Sequence, residues 1–352
     1  MGGPVVGIIA NPVSARDIRR VISHAGSLQV TDRANIVLRI LTGLAATGVA
    51  DVVMMPENAG IRGHLTRAMT RAANTGEARF PALRFLDMTI AGDASDSARA
   101  ARMMRREGVA AIIVLGGDGT HRIVVSECDA IPIAGVSSGT NNAFPETREP
   151  TITGLAVGLA VTGVAPAAAA FVENKRLDVS INDRREVALV DVAIVRERFI
   201  GTRAIWKTDG FRELFVAFGE PGGIGMSSIV GLVAPVKRSE PFGRRVLLAP
   251  ANEAPFTLQA PIAPGLIEPI GIVEVSTLAL DAPVRLAISA GSIALDGERE
   301  IVFSEEDEVT VTLRAAAFKT IDVAACMAHA ASKGCFVTTG EQLQLIEQIQ
   351  GG

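Results

Sequence analysis

Leu115-Gly116-Gly117-Asp118-Gly119-Thr120 lies between the most apolar run of the chain, Ala110 to Leu115, and a helical segment that opens near His121. A short apolar run bounded by glycine reads as a buried strand, and parallel sheets present the carboxyl ends of their strands to ligands. Glycine lets the backbone approach phosphate oxygens with no Cβ in the way, and the N-terminus of the following helix favours an anion. Asp118 is the unusual member. A carboxylate beside phosphates repels them unless it binds Mg²⁺ or takes a proton from an attacking hydroxyl. The competing reading is a plain glycine-rich turn with Asp118 as the helix N-cap. The run is neither a P-loop, having no Gly-Lys-Ser/Thr, nor a GxGxxG turn.

Working outward, strands and helices alternate over residues 1–145. Val5 to Ala10 is a short apolar strand. Ser14 to Asp17 suits a helix start, and Thr31 to Thr47 is helical, with Ile36, Ile40, Leu41 and Leu44 on one face and Gly48 as its stop. A strand at Asp51 to Met55, a helix near Gly63 to Ala73 and a strand at Ala82 to Asp87 follow. Ser95 is expected to cap a basic helix that Gly108 ends. Ile131 to Val136 is the next strand. This alternation predicts βαβ units, a parallel sheet with helices on both faces and right-handed crossovers. After Pro145 to Pro150 and a helix at Thr151 to Val161, the pattern changes to period two. Arg176 to Asn182 and Glu186 to Val195 read as a hairpin around Asp183-Arg184. Val246 to Leu248, Gly271 to Leu278, Val284 to Ile288 and Glu308 to Leu313 are further strands. Helices return at Ile321 to Ala331 and Gly340 to Ile349. The expected fold is an α/β domain over 1–145 and a β-rich second domain over 146–315. The tail, 316–352, is expected to pack back on the first domain.

Composition narrows the function. The 352 residues are 48% hydrophobic and 20% charged, enough for about two cores. A net charge of −4 supplies no field for nucleic acid or acidic membrane, and 4% aromatics with no Tyr disfavour base-stacking platforms. Cys128, Cys326 and Cys335 show no CxxC spacing and read as reduced thiols of a cytoplasmic protein. The four scattered histidines make no zinc pattern. The opening MGGPVVGIIANP is no signal peptide, and Val6 stands where a myristoylation motif needs Ser or Thr. The uncharged stretch Thr151 to Val172 is broken by Gly163 and Pro166 and reads as a soluble helix and turn.

Gly-Gly-Asp-Gly-Thr after an apolar strand resembles the signature of the NAD kinase and diacylglycerol kinase superfamily. Three further elements occur in the family order. Asn11-Pro12 ends the first strand, and Gly135 to Phe144 (GVSSGTNNAF) resembles the second loop, best in its lipid kinase form. Leu295-Asp296-Gly297-Glu298 resembles the Asp-Gly-Gln or Asp-Gly-Glu motif. The opening Gly-Ile-Ile-Ala-Asn-Pro, Asp17 to Arg20 and the His121-Arg122 extension are similar to the acetoin catabolism protein X branch of the ATP-NAD kinase-like group.

The resemblance implies that Gly116, Gly117, Gly119 and Thr120 hold phosphates, with Asn11 and the turn Ser138, Gly139, Thr140, Asn141, Asn142 in the same crevice. It implies Asp118 as the base on the acceptor hydroxyl, with Asp296 and Glu298 as rivals. A type I′ hairpin turn is the plainer reading of Asp296-Gly297, and a solvent contact at the helix start that of His121. NAD kinases carry Asn-Glu where this chain has Val190-Asp191, so Asp191 keeps a carboxylate for substrate while Val190 offers no hydrogen bond. The family's Thr-Pro-Thr-Gly-Ser stretch is absent, and Gly222 to Ser228 stands in roughly that region. The implied activity is a Mg²⁺-dependent kinase passing a phosphoryl group from ATP, or another donor, to a hydroxyl of NAD(H) or a different small acceptor. Alternatives are a nucleotide-binding regulator without turnover and a lipid kinase. We expect a homo-oligomer, dimer or tetramer, with no nucleic-acid or membrane partner.

Overall fold

The computed structural model describes residues 2–12, 28–76, 78–139, 142–197 and 208–337. The expected helix start at Ser14 to Asp17, the residues Asp17 to Arg20 and the helix at Gly340 to Ile349 lie outside these.

The first half alternates as the pattern predicts. Its elements are β1 (Val5–Ile9), α1 (Val30–Ala46), β2 (Asp51–Met54), α2 (Ile61–Thr75), β3 (Ala82–Phe85), α3 (Ser95–Glu107), β4 (Ala111–Gly116), α4 (Asp118–Cys128), β5 (Ile133–Ser137) and α5 (Pro150–Val161). β4 shows why a continuous apolar run makes a central strand: Ile112 and Val114 point into one core, Ala111, Ile113 and Leu115 into the other. α1 buries Ile36, Val37, Ile40, Leu41 and Leu44, each worth about 1.5–3 kcal/mol of apolar transfer. Ser95 is the first residue of α3 rather than its cap. Ala94 occupies the cap position, and the Asp93 carboxylate accepts the Ser95 N–H at 2.8 Å.

The uncharged stretch at 151–161 is a buried helix crossing α1 at close range. A Cβ on Gly154 would lie 2.3 Å from the Ile40 carbonyl oxygen, and one on Gly43 would lie 2.5 Å from that of Thr151. Glycine at both positions permits the crossing, and Gly163, at φ +77°, ends the turn after the helix. The boundary expected at 145 therefore falls ahead of a helix that belongs with the first sheet. No helix among the described residues is long and apolar enough to cross a membrane.

The second half comprises β6 (Phe171–Ile181), β7 (Arg184–Ala188), β8 (Asp191–Val195), β9 (Phe211–Val216), α6 (Ser227–Val233), β10 (Phe242–Ala249), β11 (Phe256–Ala263), β12 (Leu266–Ala279), β13 (Val284–Arg285), β14 (Gly291–Leu295), β15 (Glu298–Phe303), β16 (Val309–Ile321) and α7 (Val323–Ser332). It is β-rich as expected, with β9, β11, β14 and β15 beyond the strands read from sequence. One sheet runs β3-β2-β1-β4-β5-β16-β6-β7, with β13 on β16. The other runs β11-β12-β10-β9-β8-β14-β15 and is antiparallel throughout. Strands β1 to β5 are mutually parallel, β16 meets β5 in parallel at Thr320 and Ile133, and β16 is antiparallel to β6. The tail thus returns to the first sheet as a strand, and α7 packs against α5.

Two details correct the expected hairpin. Its turn is Asn182-Asp183, one residue earlier, because Asn182 takes the left-handed conformation (φ +50°) and Ile181 pairs with Arg184. The run Glu186 to Val195 is two strands. Ala188 pairs with Leu177 in the first sheet and Asp191 with Val216 in the second, so the chain changes sheets at Leu189-Val190. One core contains Ile112 and Leu177 of the first sheet together with Ile194, Phe215 and Leu295 of the second, which joins the sheets.

Candidate active site

β4 and β5 are parallel neighbours, with Gly116 opposite Ser137, so both loops leave the sheet at one edge. Asn11 lies two residues beyond Ile9, which pairs with Val114, and is level with Gly116 on the other side. The register therefore brings the three expected loop elements to the carboxyl ends of adjacent strands. Thr140 and Asn141 lie outside the described residues.

At most helix starts nearby, the protein's own carboxylates occupy the amides. Glu57 accepts the N–H groups of Ala59, Gly60 and Arg62 at α2. Asp96 accepts those of Ala91 and Gly92 before α3, Glu149 those of Thr151 and Ile152 at α5, and Asp322 that of Ala325 at α7. α4 starts differently. Its cap is Gly117, with no side-chain cap. Asp118, at the first helical position, turns away from its own helix: its two carboxylate oxygens accept the N–H groups of Ala143 at 2.9 Å and Phe144 at 2.8 Å. The reading of Asp118 as an N-cap is thereby replaced. The carboxylate is held against the second loop and crosses from one strand end to the next.

The three glycines do different work. A Cβ on Gly116 would lie 2.6 Å from the Thr120 Cβ, and one on Gly117 would lie 2.8 Å from Asn142 Oδ1. Asn142 is itself fixed, its Nδ2 donating to Ser137 Oγ at 2.8 Å. Gly117 thus lets the two loops pack on each other, while Gly116 lets Thr120 of α4 fold back against the end of β4. The nearest neighbour of the Gly119 Cβ position is the Glu298 carboxylate, at 3.5 Å, so a methyl there makes no contact tighter than ordinary van der Waals distance. Ser138 is buried, and its N–H donates to the Gly116 carbonyl at 3.2 Å.

Asn11 is buried, with Nδ2 donating to the Asp93 carbonyl (2.9 Å) and to Ser97 Oγ (3.0 Å), which ties the end of β1 to the start of α3. Asp296 and Gly297, with φ of +50° and +80°, form the two-residue turn between β14 and β15, as a type I′ turn requires. The Asp296 side chain is sealed from solvent. Its Oδ1 accepts the N–H groups of Leu189 (3.0 Å), Val190 (2.8 Å) and Asp191 (3.2 Å), the three amides that leave the ladders where the chain changes sheets. Arg122 Nε stands 3.6 Å from Oδ2. Burial pushes the Asp296 carboxyl up to about 6. Arg122 opposes this and the nearby Asp118 charge adds to it. Asp191 is buried at the head of β8, and its carbonyl accepts the Asp296 N–H at 2.9 Å. The Val190 side chain is 1% exposed and belongs to the shared core.

His121 is the clearest correction. Read as a solvent contact, it is 0% exposed. Its Nδ1 lies 2.8 Å from the Gly117 carbonyl, which assigns the hydrogen to that nitrogen. Its ring packs on Phe144 at 5.6 Å, and a Cβ on Gly135 would come within 2.9 Å of Nε2. Burial draws its pKa down to about 4, so the ring is neutral. Arg238, on the loop before β10, escaped the sequence reading because it lies in an ordinary charged run, Lys237-Arg238-Ser239-Glu240. Its guanidinium donates to the Ala143 (3.0 Å) and Phe144 (2.8 Å) carbonyls and lies over the rings of Phe144 and Phe218.

Comparison with known proteins agrees with this architecture. Residues 6–160 match the family model of the ATP-NAD kinase N-terminal domain, which sets the class: an NAD kinase-like α/β domain carrying a second, β-rich domain. Residues 175–316 match that of the acetoin catabolism protein X C-terminal domain. The chain is 55% identical over 332 residues to Acetoin catabolism protein X of Cupriavidus necator (strain H16), covering 93% of this chain and 92% of that one. It belongs to the acetoin catabolism protein X family. Among solved structures it is similar to yeast NADH kinase complexed with NADH, with TM-score 0.49, 12% identity and coverage of 97% and 90% of the two chains. It is also similar to a putative diacylglycerol kinase from Bacillus anthracis str. Sterne, with TM-score 0.45, 13% identity and coverage of 90% and 97%.

Proposed function

We propose that the chain is a small-molecule kinase that passes a phosphoryl group from ATP, or a similar donor, to a hydroxyl of NAD(H) or another small acceptor lying between the two sheets. The observation that carries this is the start of α4. An uncapped helix N-terminus stands at the carboxyl edge of a parallel sheet, with the Asp118 carboxylate fixed beside it by two amides. The amides and dipole of α4 favour phosphate, and Gly119 leaves room for its oxygens. Asp118 is within the loop and takes the role of base on the acceptor hydroxyl. Two hydrogen bonds fix its orientation, so it meets the hydroxyl without reorganising. Sealed Asp296 holds the sheet junction and orients Arg122, and Glu298 faces Gly119 at the site.

Among the described residues no group of three or more His, Cys, Asp or Glu could hold a metal ion. Mg²⁺ arriving with nucleotide phosphates would need only one or two protein carboxylates, here Glu298 or Asp118. When bound, the ion would neutralise charge developing on the transferred group. A homo-oligomer in the cytoplasm is part of the same reading.

The test is multiple-turnover phosphoryl transfer from ATP with Mg²⁺ to a panel of NAD, NADH, nucleosides and small alcohols. Asp118→Asn should lose ~10²–10⁴ in rate and keep its fold, at a cost of about 1–3 kcal/mol for the mispaired amide. Nucleotide binding with no turnover on the whole panel would make the protein a regulator. Unchanged turnover in Asp118→Asn would remove it as the base.

A further inference from the structure

Arg238 and Asp118 grip the same two residues, and the peptide unit that joins Ala143 to Phe144 is bonded at both ends, its N–H to Asp118 and its C=O to Arg238. The N–H groups of Ala143 and Phe144 donate to Asp118, and the carbonyls of the same two residues accept from Arg238. Arg238 precedes β10 of the second sheet, whereas Asp118 opens α4 of the first. The guanidinium plane is held by the rings of Phe144 and Phe218, at 5.0 and 4.2 Å to their centroids. Phe218 follows β9 of the second sheet, and Phe144 packs on His121 and on Phe318 of β16. Glu146, Glu220 and Asp118 are the acidic groups that act on Arg238, and Arg148 is the basic one.

Two charges of opposite sign on the one shared amide polarise it in one direction, strengthening the hydrogen bonds at its two ends. The arrangement also has a geometric consequence. Displacing the Arg238 loop moves the 143–144 segment, and the Asp118 carboxylate then loses its two donors together.

We infer that Arg238 is a positioning residue: it fixes the Asp118 carboxylate through the Ala143-Phe144 segment and so couples the placement of the second domain to the competence of the site. This rests on the kinase reading for its effect on rate, while the coupling itself is measurable without turnover. No contact between Arg238 and a bound nucleotide is required. Its loss is therefore expected in kcat and not in the affinity for the donor.

The experiment compares Arg238→Met, which keeps an unbranched apolar stem against the two rings, with Arg238→Lys, Asp118→Asn and the Arg238→Met/Asp118→Asn double variant in the full chain. Site-resolved hydrogen exchange reads the Ala143 and Phe144 amides, with the β1 amides as the reference for intact folding. Arg238→Met should speed exchange at both amides by about tenfold or more and leave β1 unchanged. Arg238→Lys, which keeps a donor to the carbonyls, should recover part of the protection. In the double variant the two effects on these amides should be less than multiplicative. With an active acceptor in hand, kcat should fall at least tenfold in Arg238→Met while the KM for ATP stays within about twofold. Unaltered exchange at 143 and 144, or strictly multiplicative effects, would overturn the coupling. Should the native chain turn nothing over, the kinase reading fails alone and the exchange result still decides the coupling.

Discussion

Two buried titratable residues face each other's trend. His121 has its pKa drawn down to about 4 from 6.5, so the unfolded chain takes the proton first. The stability it contributes is complete above pH 6.5 and is lost as pH falls through 4. Asp296 runs the other way: raised to about 6 from 3.8, its share is complete below 3.8 and lost as pH rises through 6. Between pH 4 and 6 the two oppose, so the native chain should show a flatter acid profile than either residue alone would give. His121→Gln exposes the histidine's part. Denaturant unfolding should show the native chain's advantage over His121→Gln shrinking by on the order of 2–3 kcal/mol from pH 6.5 to 4, and a constant advantage would contradict the buried-neutral assignment. None of this was legible in the sequence. His121 follows a glycine loop at a helix start, where solvent is the ordinary neighbour, and its burial comes from tertiary neighbours, Phe144 of the second loop and Gly135 of β5 among them.

At the level of elements, what the sequence discloses depends on whether a residue's role is local. β4, α1 and the two-residue turn at Asp296-Gly297 follow from periodicity and turn chemistry and stand where the pattern puts them. The break at Leu189-Val190 was not legible, because an uninterrupted apolar run reads as one strand. What divides it is Asp296, more than a hundred positions later, accepting the amides the ladders give up. The glycine loop was legible as a loop and not in its division of labour. Gly116→Ala drives a methyl into Thr120, whose backbone is fixed in α4, and should lower the melting temperature by several degrees. Gly119→Ala has room for its methyl and gains up to about 1 kcal/mol of helix propensity. It should keep or raise the melting temperature while weakening ATP binding, because the new methyl covers the start of α4. Calorimetric titration with ATP beside a thermal melt separates the two, and unimpaired binding in Gly119→Ala would move phosphate away from this helix end.

The whole molecule determines which acceptor the cleft can serve. By the sequence resemblance Val190 matches the Asn of NAD kinases, and its side chain is enclosed in the core shared by the two sheets. It presents no polar group to a nucleoside. A missing partner for a buried polar group costs ~1–3 kcal/mol, roughly tenfold to a hundredfold in affinity. Ordinary NAD should therefore be a poor acceptor, and a smaller hydroxyl compound a better one. A coupled assay for NADP decides it: formation from NAD with kcat/KM above ~10⁴ M⁻¹s⁻¹, the lower end for ordinary enzymes, would contradict this.

The strand order has a bearing on how the chain is made. β16, near the end, lies between β5 and β6, so during synthesis β5 has no neighbour on that side. At 5–20 residues per second, roughly ten to thirty seconds separate the emergence of Ser137 from that of Val309 at the ribosome. Over that interval the nascent first half exposes the flank of a strand whose faces are both apolar, a template for pairing with other chains. The first sheet is therefore closed only by a strand from near the end of the chain, which meets β5 at Ile133, and until then a ribosome-bound helper or rapid closure by that late strand is what protects the open flank.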